Sequence, residues 1–176
     1  MSKSIAEKIN RFKAYVGSVE STNELVGITD EVTLPTFEFM SETLSLAGMV
    51  GELDSPSPGQ FKSCQMEITF SNISEEGMAA ASDDSKTITL RAAQEQLDTE
   101  SLGKSFVQRE ITVKGMTKEI NLGKLKKGGY GNPSLKKEIV YYKDKLGDKT
   151  LIEVDKINGK WVVNDKNMMK YIESML

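Results

Sequence analysis

In residues 61–70, FKSCQMEITF, the apolar Cys64, Met66, Ile68 and Phe70 alternate with the polar Ser63, Gln65, Glu67 and Thr69. A period of two puts one set on one face of an extended strand and the other set on the opposite face. The period recurs at 86–97, where Ile88, Leu90 and Ala92 alternate with Thr87, Thr89 and Arg91, and at 104–115, where Val107, Ile111 and Val113 share a side. Segments with one apolar and one polar face select antiparallel sheet. Further strands are predicted from Arg11 to Val16, from Glu24 to Leu34, near 117–122, and at 136–145, 149–157 and 160–163. The last three are joined by Gly147-Asp148 and Asn158-Gly159 turns.

Helical signals are fewer. Ser4 and Glu7 match a capping box, which predicts a short N-terminal helical turn. The stretch Asn72-Ile73-Ser74-Glu75 predicts a helix to Ser82 that packs through Ile73, Met78 and Ala81. Asn164 is placed to cap a helix over 164–176, whose stripe of Met168, Tyr171, Ile172 and Met175 is expected to pack on the sheet. The expected fold is mainly β: an antiparallel β-barrel or sandwich of about seven to nine strands with a short mid-chain helix and a C-terminal helix. A chain of 176 residues suits a single domain over 1–176.

Composition narrows the chemistry. The chain has no histidine, which removes the usual general base, the Ser-His and Cys-His nucleophile pairs and the commonest zinc ligand. No phosphate-binding glycine loop appears. The expectation is no enzyme, with no catalytic residue, cofactor or metal. The single cysteine, Cys64, excludes an intramolecular disulfide. No apolar run is long enough for a membrane anchor, and MSKSIAEKINRFK lacks a signal-peptide core, so cytoplasmic synthesis is expected. Charge is unevenly spread. Residues 20–100 hold 3 basic against 16 acidic residues, whereas 101–176 hold 16 basic against 9 acidic. Either the halves neutralise each other within one fold, or they form opposite-signed surfaces that favour head-to-tail self-association.

One segment fits none of the strand signals. Residues 36–60 are acidic, carry Leu44, Leu46, Met49, Val50 and Leu53 at intervals, and end in Ser-Pro-Ser-Pro-Gly. Connections this long are uncommon in compact domains and usually functional or disordered. Its apolar content points to burial, either against its own domain or against something outside it. A basic glycine-rich loop, GKLKKGGYGNPS (123–134), is the second long connection.

Two stretches carry a family resemblance: VTLPTFEFMSETLSLAGMVGELDSP, and a carboxyl end that runs EIVYYKD, hairpin, LIEVDKIN, terminal helical segment. In this order and spacing the chain resembles the major tail tube proteins of contractile-tailed phages and the related R-type bacteriocins. The resemblance implies a homo-hexameric ring whose strands join a continuous inner barrel, with rings stacked head to tail. It implies that 36–60 is an extended ring-stacking loop, with Leu44, Leu46, Met49, Leu53, Glu52 and Asp54 as inter-ring contacts. It implies a lumen lined by Ser63, Gln65, Glu67 and Thr69, and places the Lys124–Lys127 region off the lumen. The implied partners are the tail sheath protein, the baseplate hub, and the tape-measure protein and DNA, held in the lumen without specific binding. The implied location is the virion tail, or a bacteriocin particle, assembled in the bacterial cytoplasm. Two other readings of the same residues are a secretion tube of the type VI kind and a monomeric ligand-binding β-barrel.

Overall fold

A computed structural model describes residues 3–176; the first two residues of the predicted 1–176 domain lie outside the described residues. The elements in chain order are β1 (Ser4–Val16), β2 (Ile28–Thr33), β3 (Phe39–Leu44), β4 (Leu53–Phe61), β5 (Gln65–Phe70), α1 (Glu75–Ser82), β6 (Ile88–Asp98) and β7 (Lys104–Asn121). They continue as β8 (Ser134–Leu146), β9 (Lys149–Asp155), β10 (Lys160–Val163), β11 (Lys166–Asn167) and α2 (Lys170–Glu173). Nine strands form one antiparallel sheet in the order β1-β6-β7-β8-β9-β10-β11, with β5 and then β2 branching from β8. The strands β3 and β4 form a separate hairpin. Among the described residues no helix is long and apolar enough to cross a membrane.

The branch arises because β8 is longer than either neighbour on its second edge. Its first half pairs with β5, from Gln65 opposite Glu138 to Thr69 opposite Ser134. Its second half pairs with β9, from Tyr141 opposite Asp155 to Leu146 opposite Lys149. The sheet curls around the apolar face of these strands, and Met66, Ile68, Ile88, Val113, Ile139 and Val154 are fully buried. At one end the curl nearly meets itself: the Leu25 amide donates to the Ala14 carbonyl at 2.8 Å, and Tyr15 bridges Glu24. Beyond that point β1 and β2 do not pair, so the barrel expected from the sequence does not close.

Several expectations are corrected. The N-terminal helical turn is strand: β1 pairs with β6 from Ser4 opposite Asp98 onward. A single helical turn is marginal against a ladder of that length. The strand from Glu24 starts only at Ile28, because Gly27 takes the left-handed conformation at φ +84°. The segments 104–115 and 117–122 are one strand, β7, bent by register shifts at Lys114/Gly115 and Thr117/Glu119. In α1, Ser74 caps Gly77 N–H at 3.1 Å as expected. The packed residues, however, are Gly77, Ala80 and Ala81, while Ile73 and Met78 are exposed. Gly77 lies against the Phe70 ring, where small size outweighs its cost to helix propensity.

The C-terminal helix is also shorter than the sequence suggests. Asn164 and Asp165 both adopt positive φ and turn the chain from β10 into β11, so Asn164 is a hairpin residue and not a helix cap. The helix is limited to Lys170–Glu173. Met168, Tyr171, Ile172 and Met175 are exposed, and only Met169 is buried.

Gly115 marks the tightest approach in the sheet. A Cβ there would run into the backbone carbonyl of Glu138 at the bulge where β7 crosses β8. We therefore expect Gly115→Ala to destabilise the fold by about 2 kcal/mol or more, read as a lowered thermal midpoint, with a smaller effect for alanine at the open Gly128.

Candidate assembly surface

The segment 36–60 is an ordered β-hairpin. Leu44 stands opposite Leu53 and Thr43 opposite Asp54, and the Ser41 hydroxyl donates to Asp54 Oδ2 at 3.1 Å. Its base is fixed by aromatic packing. Phe39 stacks on Phe61 with centroids 5.1 Å apart, Trp161 of β10 meets both edge-on at 5.0 and 5.9 Å, and Phe37 meets Tyr142 of β8 at 5.2 Å. Lys62 pairs with Glu38 at 2.5 Å across the same neck. Met169 packs against Gly59, which has no side chain to keep it away. This clamp was not legible in the sequence, although Phe37-Glu38-Phe39 has the period of a strand.

Beyond the clamp the hairpin projects from the sheet. Leu46 is 58 % exposed, Leu53 53 %, and Val50 fully exposed; Leu44 and Met49 are exposed as well. Pro56 and Pro58 lie within β4, which has an unpaired outer edge and so tolerates residues that lack an N–H. The six residues Leu44, Leu46, Met49, Glu52, Leu53 and Asp54 are thus together on one exposed hairpin. Sequence reasoning read it as a loop because no turn signal of the two-residue type separates its strands.

The polar residues of β5 sit elsewhere. Gln65, Glu67 and Thr69 share the face opposite Met66, Ile68 and Phe70, and Ser63 precedes the strand. That face carries both signs of charge. Glu67 stands opposite Lys136, which bonds Glu119 at 3.0 Å, and Ser63 donates to Glu138 at 2.8 Å. Burial alone would push the Glu138 carboxyl up, but the Ser63 hydroxyl, the Cys64 amide and Lys156 hold it below its ordinary value near 4.5. At Glu153, buried beside β10, burial is likewise outweighed by bonds from Lys160 at 2.8 Å and Tyr141 at 3.1 Å, and by Lys143. Tyr141, its partner, is pushed up to about 12 by burial and by that carboxylate.

Two exposed apolar areas were missed at the sequence level. One is the terminal Met168, Tyr171, Ile172 and Met175 group. The other is a shallow cleft between α1 and the end of β7, lined by Ile73, Met78, Ile120 and Leu122. The first has the helical spacing of a packed stripe and was expected to be covered, whereas the second joins residues of two separate elements and gives no periodic signal.

Compared with protein families, the chain matches the family described as phage tail tube protein FII over residues 6–176. Among curated proteins none matches it.

Two outcomes follow from these surfaces. Leu46→Ser combined with Val50→Ser should change folding stability by less than about 0.5 kcal/mol, whereas Phe61→Ala, which opens the clamp, should cost about 2 kcal/mol in denaturant unfolding. Glu138 and Glu153 have depressed values when folded, so the stability they supply is present above the ordinary carboxylate value and is lost as pH falls through their folded values. Thermal midpoints should accordingly drop steeply below about pH 4, and Glu153→Gln should flatten that drop.

Proposed function

The chain belongs to the phage tail tube protein FII family, structural and non-enzymatic components of the virion tail, and from that premise we propose how it builds the tube. Six copies form a ring, and the unpaired edges of β1 and β2 are the strands through which neighbours join the sheets into one inner barrel. Unpaired edges are templates for pairing with another chain. Rings stack through the β3–β4 hairpin, which carries Leu44, Leu46, Met49 and Leu53 with Glu52 and Asp54 onto the adjoining ring. The observation that supports this most is the hairpin itself: five large apolar side chains stay uncovered on an element whose base is tightly clamped. A clamped base presents the tip in one orientation and lowers the entropy cost of docking.

The face bearing Ser63, Gln65, Glu67 and Thr69 lines the channel in this reading. Free lysines there would hold DNA by counterion release. Lys136 on the same face is tied to Glu119, and Lys118 and Lys156 both reach Glu138, so the lysines at this wall are paired with carboxylates. DNA and the tape-measure protein then pass without specific binding. The tail is of the contractile type, with a sheath protein outside and a baseplate hub at the end, in a phage or a headless bacteriocin particle.

Negative-stain electron microscopy of the purified protein, alone and with tail baseplates, tests the proposal. Hollow rings or tubes with a central channel are expected. Leu46→Asp should leave the fold and the rings intact and abolish the tubes. Monodisperse monomers of the unaltered protein under both conditions would overturn the reading.

A further inference from the structure

Topology sends two chemically matched features to opposite ends of the molecule. In the β2–β5 ladder, Ile28 stands opposite Phe70 at one end and Thr33 opposite Glu67 at the other. The hairpin departs from the Thr33 end and returns into Gln65. The loop 122–133 sits at the Phe70 end, where the Phe70 amide donates to Pro133 O at 2.8 Å and the Gly131 amide to Ser71 O at 3.1 Å.

The two ends differ in charge as well as place. No lysine or arginine occurs between Lys13 and Lys62, so the hairpin carries Glu42, Glu52 and Asp54 without a cation among them. The loop carries Lys124, Lys126 and Lys127, and no acidic residue occurs between Glu119 and Glu138. None of these six charged groups forms an ion pair among the described residues, although most of the remaining carboxylates on the sheet do. Beside the basic loop, which also carries the fully exposed Leu125, lies the apolar cleft of Ile73, Met78, Ile120 and Leu122. An apolar tip flanked by carboxylates therefore has, at the other end of the same molecule, an apolar cleft with the three lysines on its loop side and Glu75 and Glu76 on its α1 side.

We propose that the hairpin tip of one copy docks into the α1–β7 cleft of the next, with Glu42, Glu52 and Asp54 facing Lys124, Lys126 and Lys127. This rests on the ring-stacking reading and adds to it the acceptor surface and the source of polarity. Leu46, Met49 and Val50 supply the buried contact, while the charges at the rim select the orientation. Hairpin against hairpin would bring carboxylates together, and loop against loop would bring lysines together, so only head-to-tail contact is favoured. Such a joint uses different surfaces on its two sides and leaves one of each free at the ends, which is the condition for open-ended growth.

Charge reversal in both directions tests the pairing, with tube yield measured by sedimentation and microscopy and folding by circular dichroism. Lys126→Glu with Lys127→Glu, and separately Glu42→Lys with Glu52→Lys, should each lower tube yield about tenfold or more, and all four changes in one chain should restore it to within about threefold. As an independent readout, Met49→Cys together with Ile73→Cys should give a ladder of covalent multimers on oxidation, with none from either change alone. A lysine reversal that leaves tube yield unaltered, including one that alters only retention of DNA, would overturn the pairing. So would a natively folded fourfold variant that stays unassembled, or tubes of the double-cysteine chain that form no ladder. Failure of the unaltered protein to form rings or tubes would instead remove the stacking reading beneath it.

Discussion

Everything in this fold depends on β8 having more hydrogen-bonding edge than one neighbour can cover. Along one edge β7 follows it for most of its length; along the other, β5 takes the first half and β9 the second. The divergence of β5 from β9 opens the space that the hairpin base fills, with Phe37 on Tyr142 and Phe39 and Phe61 on Trp161. The projection of the hairpin is thus a consequence of where the sheet forks. The same strand also fixes the basic loop, because Pro133 and Ser134 at its start are tied to the end of β5.

A strand used from both sides has to satisfy polar groups that point inward. Lys137 lies on the buried face opposite Met66 and reaches Asp84, after α1, at 2.8 Å. Asp144, also buried, takes a forked contact from Arg109 at 2.6 and 3.1 Å. Unpaired, each would carry a penalty of several kcal/mol for a desolvated charge. Paired, they tie α1 to β8 and β7 to the far half of β8, and they penalise any slip in register. We regard them as devices of register more than of stability, since buried pairs often gain little net energy.

The strands were legible where a period of two met one buried face, as at 61–70 and 86–97, the strand at 136–145 was legible from its run Ile139-Val140-Tyr141-Tyr142, and the turns at Gly147-Asp148 and Asn158-Gly159 were legible from turn chemistry. What escaped were features decided by tertiary context. The Ser4–Glu7 capping pattern is overridden by pairing with β6. Asn164 favours both a helix cap and a left-handed turn residue, and pairing of β11 with β10 selects the second. The methionine-rich C-terminal stripe has the spacing of a packed helix, yet the helix is too short to lay it on the sheet. At the candidate surface, the apolar residues of 36–60 were visible as an excess without a place to go. Their arrangement as a hairpin, and the cleft at the other end of the molecule, required the fork in the sheet to be known.

The uneven charge of the chain takes its meaning from that geometry. Opposite charges on one face would neutralise locally and favour a closed monomer. With the hairpin carboxylates and the loop lysines at the two ends of the β2–β5 ladder, each copy would, in the proposed stacking, present its neighbour with the complement of the surface it has just used. A single such joint at high dielectric is weak, because exposed ion pairs yield at most about 1 kcal/mol and the apolar tip must supply most of the attraction. Closing copies into a ring changes the arithmetic, since the joints between two rings form together and the second joint is already intramolecular once the first has formed. Contacts too weak to hold two copies can then hold two rings. Under the proposed stacking, a chain built this way would remain dispersed until a ring exists and polymerise afterwards, so that the weakness of each contact would tie growth of the tube to its nucleation.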